Sequence, residues 1–227
     1  MSYTKIMVCL ANSRKISGRC LAGKERIESG FGEWIRPVSQ RPAGEISEFE
    51  RRYQNGDDPN VLDIIEIPLL HPHPHSYQTE NHLIDARQAW RKVGQFDRHK
   101  LHVLADTIEG ELWVNGYSSY NGLNDRISED IAKTLRNSLY LIHLEQLSIV
   151  VCTEGGNFGN AKRRIRAEFT LHDTPYKLAV TDPRIERAFL KKNDGKYPLW
   201  EQHLYVCISI GEPYNGYCYK LIASVIA

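Results

Sequence analysis

The chain has 227 residues, which suits one large domain or two small ones. With 29 Lys and Arg against 28 Asp and Glu the net charge is +1, so no whole-molecule field draws the chain to nucleic acid or anionic lipid, and any such attraction must come from local clusters. A hydrophobic fraction of 41% and a charged fraction of 25% fit a globular protein with a core of useful size.

No apolar run approaches the roughly 20 residues that span a bilayer. Five cysteines without C-x-x-C spacing argue against a disulfide framework or a cysteine zinc site. The expected compartment is the cytoplasm. Residues 1–10 are too short and poorly flanked for a signal peptide, and Lys5–Leu10 reads as a short buried strand.

Asn12–Lys15 breaks that strand, and Gly18–Ala22 resumes an extended pattern that Gly23 closes. The Gly30-Phe31-Gly32 turn leads into Gly32-Glu33-Trp34-Ile35-Arg36-Pro37-Val38-Ser39. Trp34, Arg36 and Val38 share one side of this run if it is extended, and Pro37 marks an edge or an end. Gly44–Tyr53 has apolar residues at helical spacing, and Ser47 with Glu50 makes a capping box. Leu62–Leu70 is a strand rich in isoleucine. This order suits a small Greek-key barrel.

His71-Pro72-His73-Pro74-His75 ends the first half as an extended, unpaired segment. Its histidines resemble a chelating tract, but no further ligand stands at the required spacing, and no metal is expected. Helix-forming patches follow over 79–105, then a turn-rich stretch over 106–124. Ser128 is placed to cap a helix that begins with Glu129 and Asp130. Residues 76–138 thus read as a mixed connector.

In the second half Leu139–Val151 is extended, with a break at Glu145-Gln146. Arg164–Leu171 alternates, the His172–Pro175 turn follows, and Tyr176–Val180 completes a half-buried hairpin. Pairing Leu171 with Tyr176 would put Arg164, Arg166 and Lys177 on one polar face. Asp182–Leu190 reads as a helix, and Leu204–Ile210 with Tyr217–Ile226 as a last hairpin around Gly211–Gly216. The tripeptide Tyr-Lys-Leu recurs at 176–178 and 219–221.

Two basic stretches carry the functional argument. Gly155–Arg166 is a glycine-loosened loop with Phe158, Lys162, Arg163, Arg164 and Arg166. Flexible cationic loops with an aromatic are what single-strand binders use; the plainer alternative is a solvated hairpin entrance. Its glycines lack the lysine spacing of a phosphate loop. In the other stretch Arg14, Lys15, Arg19 and Arg36 could track phosphates beside Trp34 as a stacking platform; alternatively Trp34 is core and Arg36 pairs with Glu33 or Glu45. Cys20, near cations but without a base, makes a poor nucleophile.

Residues 9–15, 18–23, 32–39, 209–213 and 218–221 together resemble a bacterial family described as a dual OB-containing domain. That resemblance implies two small OB-like barrels in one mainly β chain with short helices, in the α+β class. The expected organisation is a barrel over 1–75, the connector over 76–138 and a second barrel over 139–227. It also implies a nucleic-acid-binding role without catalytic residues or cofactors. The expected function is a non-catalytic module for single strands or ends, acting beside a separate helicase or nuclease. A protein-interaction subunit and a metal-dependent hydrolase are the alternatives.

Overall fold

The computed structural model describes residues 2–156 and 159–227. The chain is mainly β and divides into two units, Met1–Leu104 with Arg136–Leu139, and Ala105–Leu135 with Tyr140–Ala227.

In the first unit, strands β1 (Tyr3–Lys15), β2 (Gly18–Ile27) and β3 (Gly30–Val38) form an antiparallel meander. Helix α1 (Glu48–Arg51) follows, then β4 (Asp63–Pro72), β5 (Asn81–Ile84) and β6 (Arg91–Gln95). Strand β5 lies parallel to β3 and antiparallel to β4, and β4 pairs back onto β1. The ladder β1-β2-β3-β5-β4-β1 is therefore a closed five-stranded ring, a Greek-key barrel of OB order. Strand β6 adds to the other part of β4.

Alternation supplies the barrel interior. Met7, Cys9, Leu21, Ile35, Ile65, Ile67, Leu69 and Ile84 meet around Trp90, Ile46 and Tyr53. β1 is bulged between Cys9 and Ala11, where it curves round the barrel. Gly23 sits opposite Cys9, and a Cβ there would lie 1.9 Å from the Val8 carbonyl oxygen. Only glycine lets the two strands cross that closely. The capping box at α1 is formed as expected: Ser47 accepts from the Glu50 amide, and the Glu50 carboxylate accepts from the Ser47 amide at 2.8 Å.

The second unit contains β7 (Arg126–Ser128), α2 (Glu129–Ala132), β8 (Leu139–Leu144), β9 (Leu147–Glu154), β10 (Lys162–Leu171) and β11 (Thr174–Val180). Then come α3 (Pro183–Phe189), β12 (Gly195–Leu199), β13 (Leu204–Tyr214) and β14 (Tyr217–Ile226). The sheet order is β12-β9-β10-β11-β14-β13-β8, with β7 beside β14. Its central five strands repeat the order of the first unit. Three are antiparallel, the third (β11) is parallel to the fifth (β14), and a helix lies between the third and fourth. The cap expected at Ser128 is present; Asp182 caps α3 as well, and Pro183 opens that helix, where its missing N–H is harmless.

Three expectations need revision. No free-standing connector occupies 76–138: residues 76–104 and 136–139 belong to the first unit and 105–135 to the second. The helical patches over 79–95 are strands β5 and β6, because Leu83 and Ile84 fill the gap between β3 and β4. Only Arg98–Val103 is helical there, as a 3-10 turn. The β10–β11 register is two residues tighter than pairing Leu171 with Tyr176. His172 and Asp173 take positive φ in a two-residue turn, so Leu171 faces Thr174 and Phe169 stacks on Tyr176. Because the shift is even, Arg164 and Lys177 keep the side expected of them, but Arg166 on that side is buried against Glu154 and Asp125.

Lys220 is fully buried inside the second unit. Its ammonium donates to the Val114 carbonyl and to Asn115 Oδ1, both at 2.8 Å, and lies 5.4 Å from the Tyr176 ring centroid. The Tyr176 hydroxyl in turn accepts from the Leu112 amide and from Asn115. Burial pushes the Lys220 pKa down to about 8, against the pull of Glu111 and Asp125. Unfolding returns it to its ordinary value of 10.5. Between these values the unfolded chain binds more protons than the folded one, so this group makes stability rise with pH. Urea unfolding of wild type and Lys220→Met tests this. The wild type should gain up to about 3 kcal/mol relative to the variant from pH 7.5 to 10. Parallel pH profiles would refute it.

Candidate nucleic-acid interface

Barrels of this order bind ligands on the outer face of the second and third strands and on the loops between strands one and two and strands four and five. In the first unit those parts are β2, β3, the turn at Ile16-Ser17 and the segment from His73 to Glu80.

Lys24 of β2 lies directly opposite Trp34 of β3, its ammonium 5.7 Å from the ring centroid. Trp34 is half-buried and walls a cavity of about 250 Å3. The other walls are Glu33, Thr79, Glu80, His82, Arg136, Asn137 and Leu139. Thr79 and Glu80 come from the loop between strands four and five. Arg136 is exposed, and its carbonyl accepts from the Thr79 hydroxyl at 2.9 Å. The His82 ring meets the Tyr3 hydroxyl at 2.5 Å, and burial, helped by nearby Lys5, lowers the His82 pKa.

Beneath this pocket lies Arg36, only 3% exposed. Its guanidinium pairs with Glu80 at 3.1 Å and donates to the Ser138 hydroxyl at 2.8 Å, while Ser138 donates to Glu80. Trp34 and Arg36 do share one face, as the alternation predicts. Arg36, however, is directed into the protein, and its carboxylate partner is Glu80 rather than Glu33 or Glu45. It positions the pocket walls and has no open surface from which to meet a phosphate.

Arg14 and Arg19 stand opposite each other where β1 turns into β2, with Lys15 opposite Gly18. They form a basic end to the barrel. Arg19 is five residues along β2 from Lys24, about 17 Å at the usual strand rise.

The arginines of the second unit divide. Arg166 is buried, bonded to Glu154 at 2.5 Å and facing Asp125 at 3.3 Å. Arg163 donates to the Leu190 and Lys192 carbonyls and pairs with Asp194 at 2.8 Å, closing the C-terminal end of α3. Lys162 and Arg164 are exposed at the start of β10. Phe158 lies outside the described residues. Gly155 is required in the loop, since a Cβ there would meet the Asn160 carbonyl at 2.5 Å. Lys177, expected on the same face, is bound with Lys196 to Glu168. These three line a second cavity of about 440 Å3.

His71 and His73 lie edge to face at 5.8 Å, and His71 Nδ1 contacts the Pro72 carbonyl. Among the described residues no group of three or more His, Cys, Asp or Glu is arranged to hold a metal. All five cysteines are free thiols. No helix of the described residues is long and apolar enough to cross a membrane.

Lys24 and the walls from Thr79, His82, Arg136 and Asn137 are absent from the sequence-derived set. Lys24 was accessible by pairing β2 with β3 across the glycine turn. The others come from positions remote in the chain and carry no local signal.

A family model described as a dual OB-containing domain matches residues 5–225, and the chain belongs to that family. Neither a curated protein nor a solved structure matches it.

The Arg36–Glu80 pair makes a stability prediction. Removing one member leaves the other charge buried without a partner, which costs about 3–5 kcal/mol. Arg36→Met and Glu80→Leu should each lower the urea midpoint accordingly, and the double variant should recover most of the loss. Additive losses would show that the two side chains do not act as a pair.

Proposed function

We propose that this chain is a non-catalytic module that binds single-stranded nucleic acid, using the Trp34 face of its first barrel. The observation that carries this reading is Trp34 itself. It is half-buried on the outer side of β3, beneath the Lys24 ammonium, and walls a cavity beside the loop between strands four and five. An indole flanked by cations suits a base stacked on the ring with phosphates along the basic residues. The exposed carboxylate of Glu33 on the wall favours the base over the phosphate in the pocket itself, since amino groups on base edges donate to carboxylates. Phosphates would follow Lys24 and Arg136 and run toward Arg14, Lys15 and Arg19. In the second barrel Lys162 and Arg164 supply further cations. Arg36, Arg163 and Arg166 serve as scaffold.

A helicase or nuclease working on the same strand would supply the chemistry. A second reading, a protein-interaction subunit, is favoured by Ile16 and Phe49, which are 72% and 82% exposed. Purification with a stoichiometric protein and no nucleic acid would favour it.

Fluorescence anisotropy with labelled DNA and RNA strands of about 20 nucleotides tests the first reading across a salt series. Trp34→Ala should weaken binding about 5- to 150-fold, the worth of one stacked base, without changing the salt slope. Lys24→Gln and Arg136→Gln should each make the slope shallower by about 0.7. Wild-type affinity retained in all three variants, or no binding of either strand by the wild type, would overturn the reading.

A further inference from the structure

We propose that the second unit holds its own site for one nucleotide of a single strand, built from Arg126, Tyr117, Tyr214 and Tyr217. This rests on the nucleic-acid reading above but uses different residues. Strand β7 pairs with the start of β14, with Cys218 opposite Ile127 and Tyr219 opposite Arg126. Cys218 and Ile127 are fully buried. Alternation therefore sends Arg126, Ser128, Tyr217 and Tyr219 to the other face, where each is half-exposed.

On that face the Arg126 guanidinium carbon lies 3.9 Å from the Tyr217 ring centroid. The Tyr117 ring stands 6.0 Å from Tyr217, inclined by 56°. Tyr214 faces Tyr217 across the β13–β14 hairpin and is 67% exposed. The Asn215-Gly216 turn that joins them is the loop between the fourth and fifth strands of this barrel, a loop that such folds use for ligands.

Arg126 differs from the buried arginines. Arg36, Arg51 and Arg166 each have a carboxylate at salt-bridge distance. Among the described residues Arg126 has none, and its buried Nε, like that of Arg36, has no hydrogen-bond partner. The carboxylates nearest in sequence are engaged. Asp125 accepts from the Ser119 amide and hydroxyl and faces Arg166. Glu129 and Asp130 lie against Lys133. A guanidinium that has lost part of its water without gaining a counterion is costly, and a phosphate would offset that cost through charge-assisted hydrogen bonds. The surrounding tyrosines give a base its stacking surface. A cation with aromatics on its flanks thus matches a base and its adjoining phosphate together.

The test uses the full chain, fluorescence anisotropy and a labelled oligothymidylate of about 20 nucleotides. Tyr217→Leu should weaken binding about 5- to 150-fold, and Tyr217→Phe, which keeps the ring, by less than about 2-fold. Arg126→Gln should also weaken it and make the salt slope shallower by about 0.7. Photocrosslinking of the wild type to a 5-iodouracil strand needs no variant, and should label a peptide containing Tyr117, Tyr214 or Tyr217. If Trp34→Ala weakens binding while Tyr217→Leu and Arg126→Gln bind like the wild type, this site is refuted and the first-barrel reading stands. Labelling confined to first-unit peptides refutes it equally. If the wild type binds no strand, both fall together.

Discussion

The first barrel depends on one buried cation. Arg36 sits on the third strand, where an aliphatic residue would fit more cheaply, and it holds Glu80 and Ser138 through charge-assisted bonds. Glu80 belongs to the loop that leads into β5, and Ser138 to a segment that returns from much further along the chain. Three remote stretches are thereby fixed at one point. Breaking a buried pair costs more than the pair itself contributes, because the survivor is left charged and desolvated. That asymmetry makes Arg36 a device for geometry, and the geometry it sets is the wall of the Trp34 cavity.

Ion pairing within the fold also thins the basic stretches. The basic stretches looked like a concentrated cationic surface when read as a string. In the fold, Arg36, Arg163 and Arg166 are spent on carboxylates and carbonyls of their own unit. Burial without a counterion would be prohibitive, so an arginine that points inward must find one. The contacts proposed for a nucleic acid are placed by strand position instead: Lys24 beside an indole, Arg136 on a cavity rim, Arg126 on a tyrosine. Charge density along the chain therefore does not show which cations the fold ties to its own carboxylates and carbonyls.

The parts of the fold that local chemistry dictates were legible. The Ser47–Glu50 box, the Ser128 cap, the helix from Asp182, the break at Glu145-Gln146 and the two C-terminal hairpins each follow from side chains acting within a few residues. Strands β5, β6 and β12 were not, because four or five residues carry too little periodicity. β6, with Arg91, Lys92 and Gln95, is exposed almost throughout and has no apolar face to betray it. The same holds for the site. Trp34 was visible as an aromatic in a strand, whereas Arg136, Asn137 and His82 reach its cavity only through long-range closure of the chain. Arg126 gave no signal, since its value lies in the carboxylate it lacks.

The recurring Tyr-Lys-Leu shows why strand pattern alone cannot assign an interior. At 176–178 the tyrosine and leucine are buried and Lys177 faces outward to Glu168. At 219–221 the phase is reversed: Lys220 is fully buried, while Tyr219 and Leu221 are half-exposed. The first copy lies on β11 and the second on β14, and these strands are parallel neighbours in one sheet, paired through Ala179 with Leu221 and Val180 with Ile222. The recurrence is thus no trace of two duplicated barrels. One tripeptide meets opposite faces because the residues around it, Val180 on one strand and Cys218 with Ile222 on the other, set the phase. A lysine can occupy the inward position only because Val114 and Asn115 arrive to accept its hydrogen bonds. Those acceptors come from the segment the sequence presents as a mixed helical and turn-rich connector. The two units therefore share an order of strands rather than a sequence, and each draws strands from residues 76–138: β5 and β6 in the first, β7 in the second.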